Sequence, residues 1–252
     1  MLFNRKKITS IFILLISFSL VIQAEEGNEK DQKIYSLSTS FSLLMTSGNT
    51  QELTLGFDTE QNLKIKKNEL KSKASIIYSQ SEGIRESEIY YGHLEYRRSL
   101  SSKAYLLGFG RFERNEMSGF EYRLALTLGA GYFWIKSEKF ELSSELTLGW
   151  SGEKNIEKIK STELQLSFAS CLVSTQVKIN ISSNSELTYQ DIFFFNLENT
   201  KDYRLFSLAS LSVSISRYIA LKISHQLKYS HYPVPGFKST DQYLLSSLVL
   251  NF

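Results

Sequence analysis

Histidine is the side chain best suited to acid–base catalysis, and this chain of 252 residues contains three. They are His93, His225 and His231. A hydrolase needs a nucleophile, a base and a group that orients the base. His93 lies near Glu95, but no characteristic serine motif accompanies it, so an ordinary hydrogen-bonded histidine is the favoured interpretation. The sequence therefore indicates a protein that is not an enzyme, with a hydrolase as the weakest alternative.

The sequence also lacks the spacings expected for bound metals or nucleotides. No metal-ligand pattern and no phosphate-binding glycine loop appears, so no cofactor is expected. The single cysteine, Cys171, has no partner for an internal disulfide. We expect it on an inward face beside Ala169 and Val173, as a small buried residue.

The N-terminal residues predict a secretory signal peptide over residues 1–24. Arg5, Lys6 and Lys7 precede an apolar stretch over residues 11–22, and Ala24 marks the cleavage site. An uncleaved anchor is the alternative, but the stretch is shorter than the roughly 20 residues that span a bilayer. Cleavage removes three of the 29 basic residues and leaves as many basic as acidic ones, 26 of each. The mature chain is neutral, and no nucleic-acid partner is expected.

Apolar and polar residues alternate along most of the mature chain, as in β-strands with one apolar face. In the clearest stretch, residues 140–150, the face with Leu146 and Leu148 opposes the face with Glu141 and Glu145. Only helices and closed barrels satisfy every backbone polar group in lipid. The pattern therefore predicts an all-β transmembrane, antiparallel up-and-down barrel, and it disfavours a soluble sandwich or lipocalin-like barrel.

The barrel is predicted over residues 34–252, after a periplasmic segment at 25–33. About twelve strands are expected: 34–46, 51–64, 70–80, 88–98, 103–114, 121–136, 139–151, 162–174, 178–190, 202–215, 219–230 and 241–252. The connections after the even-numbered strands are short, while most others are longer, although the first outward turn, 47–50, is short too. Both prolines, Pro233 and Pro235, fall in the last outer loop, where they break no ladder of hydrogen bonds.

Charged residues of both signs are expected on the inward face, where they would line the lumen. The candidates are Glu52, Asp58, His93, Glu95, Arg123, Glu141, Glu145, Glu163, Glu186 and Lys222, together with Glu60, Arg97, Asn180 and Lys228. Mixed signs favour ion pairs inside a barrel whose strand number lies between filled and open types. Glycines 108, 110, 129 and 131 are expected to leave room inside or to let the wall bend.

The last strand carries the features of an assembly signal. Leu244, Leu248, Leu250 and Phe252 share one face, which we expect to meet lipid, while the strand pairs with residues 34–46. An apolar strand that ends on an aromatic residue resembles the signal read by the outer-membrane assembly machinery. The expected partners are that machinery and outer-membrane lipids, and the expected location is the outer membrane. Nothing in the sequence indicates an oligomeric state.

Two segments near the predicted loops admit more than one interpretation. Residues 191–196 contain Phe193, Phe194 and Phe195, which could enter the lipid, bind a partner or plug the barrel. The favoured interpretation is that they extend strand 9 or 10 into the membrane interface. The basic segment 154–160 could contact lipopolysaccharide phosphates or be an ordinary solvated loop.

Several motifs together resemble the salt-stress-induced outer-membrane protein family (YdiY-like). They are residues 47–50 (SGNT), 111–114 (RFER), 118–123 (SGFEYR), 128–132 (LGAGY) and 250–252 (LNF), densest between residues 105 and 135. The resemblance implies an outer-membrane barrel whose biochemical role is undefined. We expect a small-solute, porin-like channel linked to envelope or salt stress. The alternative is a closed structural or partner-binding barrel without a conducting pore.

Overall fold

Twelve antiparallel strands form a closed barrel in the computed structural model, which describes residues 33–46, 52–81, 84–115, 119–155, 165–234 and 236–251. Each strand pairs with its neighbours in sequence, and the last pairs with the first. The strands are β1 (Lys33–Thr46), β2 (Glu52–Ile65), β3 (Asn68–Ser81), β4 (Ile84–Ser99), β5 (Ala104–Asn115), β6 (Phe120–Lys136), β7 (Phe140–Asn155), β8 (Gln165–Ser182), β9 (Ser185–Asn196), β10 (Tyr203–Ser214), β11 (Ile219–Ser230) and β12 (Thr240–Asn251). The predicted fold class is confirmed.

The strands alternate between an apolar outward face and a mostly polar inward face. Leu128 on β6 is 75% exposed and Leu244 on β12 is 66% exposed. On the opposite face of the same strands, Thr127 and Ser247 are buried. Such a contiguous outer band of apolar side chains is typical of barrels that cross a membrane by their strands. No helix among these residues is long and apolar enough to cross a membrane.

The two ends of the barrel differ in their connections. At one end, which we call the turn end, β2–β3, β4–β5, β6–β7, β8–β9 and β10–β11 are joined by two to four residues. At the other, the loop end, connections reach nine residues, although β3 and β4 are separated by only two. The prediction of short connections after even-numbered strands is therefore confirmed.

The predicted boundary between strands 8 and 9 is wrong. β8 continues to Ser182, and the turn lies at residues 183–184 instead of 175–177. Cys171 pairs with the exposed Leu148, so it lies on the outward face and not on the inward one. The reason is that β8 carries large apolar residues inward as well, Phe168 and Leu172, and this obscures its alternation.

The three consecutive phenylalanines belong to a strand, as the favoured interpretation held. Phe193 and Phe195 are exposed on the outward face of β9, while Phe194 pairs with Leu172 and Arg204 on the inward face. The glycines also divide between the faces. Gly129 and Gly131 lie inward, whereas Gly108 and Gly110 pair with the outward Leu128 and Leu126.

The closing seam joins the strands that the sequence predicts. Five residue pairs link β1 to β12, from Ser38 opposite Asn251 to Ser42 opposite Ser247. Several predicted features lie outside the described residues: the signal peptide, residues 25–32, the turn 47–50, residues 156–160, Glu163, Pro235 and Phe252.

Candidate functional site

The inward face carries two groups of charged residues, one near each end of the barrel. The turn-end network consists of His93, Glu95, Arg97, Tyr105, Glu145 and Ser174. The loop-end network consists of Arg111, Glu113, Arg123, Glu153, Asp202, Arg204 and Lys228. In both, buried or half-buried carboxylates contact basic groups, so the charges are paired inside the barrel.

Glu145 on β7 is the centre of the turn-end network. Arg97 on β4 donates to Glu145 Oε1 at 2.8 Å, and the Tyr105 hydroxyl donates to the same oxygen at 2.7 Å. Ser174 donates to the other oxygen at 3.1 Å, and Arg97 also donates to Glu95. The network therefore joins strands from β4 to β8 across the inside of the wall.

A glycine makes room for the central contact of this network. Tyr105 is buried, and its ring lies over Gly131 on the neighbouring strand. A Cβ at Gly131 would lie 2.2 Å from Tyr105 Cζ, well inside van der Waals contact. The absence of a side chain at this position lets the tyrosine reach Glu145.

His93 belongs to the same network through its contact with Glu95. Its Nε2 lies 3.3 Å from Glu95 Oε2, and its ring packs beside Tyr91 and Phe109. Among the described residues, these contacts of His93 include no serine or cysteine nucleophile. His225 lies on the outward face with Nε2 3.2 Å from Gln242 Oε1, and the ring of His231 stacks on Tyr203 beyond the end of β11. No grouping of nucleophile, base and orienting group is present among the described histidines.

The loop-end network is built around two buried carboxylates. Arg204 on β10 donates to both oxygens of Glu153 on β7, at 2.9 Å for Nη2 to Oε2. The same guanidinium donates to Asp202 at 2.7 and 2.8 Å. On the second carboxylate, Lys228 Nζ donates to Glu113 Oε1 at 2.8 Å. Arg123 and Arg111 complete the pairs at 3.4 Å from Glu153 and 3.5 Å from Glu113.

The Lys228–Glu113 pair crosses the lumen. β11 and β5 are six strands apart in a barrel of twelve, so their walls face each other. A round barrel of this strand number, with strands about 4.8 Å apart and tilted by about 40°, has a diameter on the order of 23 Å. A lysine and a glutamate joined by one hydrogen bond span less than this. The barrel section is therefore flattened at this level, and the ion pair divides the lumen.

A cavity of about 120 Å³ lies against the loop-end network. Apolar side chains such as Phe120, Leu172 and Phe194 line it together with the charged groups. The loop between β11 and β12 covers it with Pro233 and the buried Val234. This loop rests on Gly119, whose φ of 82° favours glycine, and a Cβ there would lie 2.8 Å from the Phe237 ring.

Several inward charged residues lie outside the two networks. Lys178 and Glu186 form an ion pair at 2.5 Å, and their side chains are 41% and 37% exposed. The inward Lys222 interacts electrostatically with Lys73, Glu60 and Asp58. Glu141 pairs with Lys178 in the β7–β8 register, and Asn180 pairs with Glu186 in that of β8–β9. Glu52 lies in β2, paired with Thr46 and Ser81.

Of the sequence candidates, the structure brings His93, Glu95, Arg97 and Glu145 into one network, and Arg123 and Lys228 into the other. Sequence reasoning missed the two central carboxylates, Glu113 and Glu153, and their partner Arg204. A signal existed for Glu153, since it lies eight residues after Glu145 and therefore on the same face of the strand, but the strand was predicted to end at residue 151. Among the described residues, no group of three or more His, Cys, Asp or Glu could hold a metal ion.

Residues 39–252 match a protein family described as "Protein of unknown function, DUF481", and the chain belongs to this family. That description contains no function, so the resemblance to the salt-stress-induced family stays a prediction. No curated protein matches the chain.

Solved structures similar to this chain include an outer membrane channel and two porins. An outer membrane channel from Pseudomonas putida F1 is 10% identical, with a TM-score of 0.51, over 91% of this chain and 98% of that one. The NanC porin is 9% identical (TM-score 0.48, 86% and 98% covered), and the KdgM porin is 6% identical (TM-score 0.45, 86% and 98% covered). At 10% identity, the likeness to the Pseudomonas putida channel concerns the fold alone.

Proposed function

We propose that this member of the DUF481 family is an outer-membrane channel for small solutes, narrowed at two levels by ion pairs. The observation that carries the proposal is the charge inside the barrel. Both networks consist of buried or half-buried ion pairs, with Glu113 and Glu153 each in contact with two basic side chains. A lumen lined in this way suits water and small polar solutes.

A barrel without a path for solutes could be filled with apolar side chains at no loss of stability. Replacing a buried ion pair by packed apolar residues is often neutral or stabilising, because charges lose their hydration when they are buried. The ion pairs inside this barrel are therefore not needed to stabilise a filled interior. Their presence supports a lumen that water and solutes enter.

Exposure at the turn end supports the same proposal. The Lys178–Glu186 pair is inside the barrel, yet more than a third of each side chain is exposed. A solute would enter beside this open wall and meet the loop-end network at the other end. The cavity of about 120 Å³ fits a small solute and excludes a large one.

A closed structural barrel is the second candidate, and one contact favours it. Lys228 and Glu113 join opposite walls at 2.8 Å, which stiffens the barrel and obstructs the lumen. In this alternative the loops at the loop end would present the functional surface. A channel lets small solutes through, whereas a closed barrel does not, so a permeation assay distinguishes the two candidates.

The outer surface of the barrel supports a proposal for its location and assembly. The exposed Leu244 and Leu248 continue the apolar band to the closing strand, which supports insertion in the outer membrane. Leu244, Leu248, Leu250 and Phe252 are proposed as the signal for the assembly machinery, with outer-membrane lipids around the finished barrel.

Swelling of liposomes that contain the folded protein tests the proposal. We expect faster swelling in small solutes such as glycine or arabinose than for protein-free liposomes, and no increase in a tetrasaccharide. Heat-modifiable migration in detergent gels shows that the inserted protein is folded. No swelling in any solute, with folded protein in the membrane, would leave the closed barrel as the better candidate.

A further inference from the structure

The cavity at the loop end combines an apolar floor with a basic wall. Leu172, Ile192, Phe194 and Phe206 come from three strands and face into it, beside Phe120. The guanidinium of Arg123 lies 3.3 Å from the centre of the Phe120 ring, and that of Arg204 lies 4.9 Å from the Phe194 ring. A ligand in this cavity would meet hydrocarbon on one side and guanidinium groups on the other.

Basic groups outnumber acidic ones around this cavity. The basic side chains that line it are Arg111, Arg123, Arg204, Lys228 and Lys238, and the acidic ones are Glu113, Glu153 and Asp241. Asp202, which contacts Arg204, adds one acidic group behind the wall. The cavity therefore keeps an excess of positive charge, which favours an anion.

Arg123 has a donor that makes no hydrogen bond within the described part of the chain. Its Nε is buried and has no hydrogen-bond acceptor among the residues the structure describes. The carboxylate in contact with it, Glu153, lies 3.4 Å away and is already bound by Arg204 on both oxygens. A buried donor without an acceptor is unfavourable, and a ligand carboxylate would supply the acceptor.

The size of the cavity limits the ligand to a few carbon atoms. An apolar cavity of about 150 Å³ is large enough to hold benzene. The volume here is about 120 Å³, under a loop that contributes Pro233 and Val234. A sugar or a peptide would need the loop to move away.

We propose that this cavity binds a small apolar monocarboxylate, with its carboxylate at Arg123 and its hydrocarbon against Phe194 and Leu172. The inference names a solute class for the channel proposed above and rests on that proposal for its role in transport. Binding itself can be measured on the folded barrel in detergent, without any transport.

Butyrate is a suitable probe, with butylammonium as the cation of similar shape. We expect saturable butyrate binding by calorimetry and no binding of butylammonium. A hydrogen bond to a charged group contributes about tenfold in affinity or more, so Arg123→Gln should weaken butyrate binding by at least that factor. Lys73→Gln removes a lumen charge that does not line the cavity and should leave the affinity unchanged.

A second variant tests the site without changing its charge. Ala125 lines the cavity, and Ala125→Phe should fill it and abolish butyrate binding even if Arg123→Gln fails to fold. Equal binding of butyrate and butylammonium, or butyrate binding that Ala125→Phe leaves intact, would overturn the inference. Solute permeation without butyrate binding overturns this inference alone, whereas butyrate binding without permeation overturns only the channel.

Discussion

Single carboxylates hold together side chains from distant strands of this barrel. Glu153 on β7 accepts hydrogen bonds from Arg204 on β10, and it is itself nearly inaccessible. Glu186, also inward, has its lysine partner on the neighbouring strand and is 37% exposed. The two ion pairs should differ in their contribution to stability because they differ in burial. Water screens the charges of an exposed pair and can take over its hydrogen bonds, but it does not do so for a buried pair.

Neutralising Glu153 should therefore destabilise the barrel far more than neutralising Glu186. Glu153→Gln leaves Arg204 and Arg123 close together without their shared counter-ion. We expect a loss of about 3–5 kcal/mol in the free energy of unfolding, the usual effect of breaking a buried pair. Glu186→Gln should cost about 0–1 kcal/mol, as for exposed pairs. Denaturant unfolding in detergent measures both, and equal losses would show that burial does not set the strength of these pairs.

At the scale of strands, alternation predicts the elements whose two faces differ clearly. The outward leucines of β6, β7 and β12 are separated by small or polar inward residues, so their faces could be assigned from the sequence. β8 could not, because Phe168 and Leu172 face inward and pack near Phe194. A strand that lines an apolar cavity is apolar on both faces, and its register and end are then hidden.

Ion pairs across the lumen cannot be predicted from the alternation within single strands. Lys228 was predicted to face inward, but its partner on β5 was not identified, although Glu113 keeps the same alternation as Tyr105 and Arg111. Which inward residues meet depends on how far the barrel is flattened, and that is a property of all twelve strands.

The seam between the first and last strands gives a test of register. Ser42 and Ser247 are directly paired and both buried on the inward side. Directly opposed residues in antiparallel strands are close enough for a disulfide, with Cα atoms about 4.5–5.5 Å apart. In a Cys171→Ser background, Ser42→Cys with Ser247→Cys should lose both free thiols on oxidation of the folded protein.

The matched control for this seam is Ser42→Cys with Ser246→Cys. Ser246 follows the outward alternation of Leu244 and Leu248, so its thiol would point away from the lumen. We expect both thiols of this variant to stay free. A disulfide in the control and none in the first variant would place the seam one residue out of register.

At the scale of the whole molecule, a barrel of twelve strands is large enough to contain a path and small enough to be obstructed by side chains. Toward the turn end, ion pairs of the turn-end network lie against the wall, and the Lys178–Glu186 pair is exposed. At the loop end, the Lys228–Glu113 pair runs from wall to wall. The central claim is that this cross-lumen pair limits the flow of solutes through a channel.

Single-channel conductance in planar bilayers tests that claim most directly, by comparing the wild type with the double variant Glu113→Ser and Lys228→Ser. We expect discrete conductance steps for the wild type and larger steps for the variant, because two long side chains leave the middle of the lumen. The control, Glu186→Ser with Lys178→Ser, removes an ion pair between neighbouring strands and should leave the step size close to that of the wild type. No conductance from either wild type or variant, or steps that the loss of the cross-lumen pair leaves unchanged, would contradict the claim.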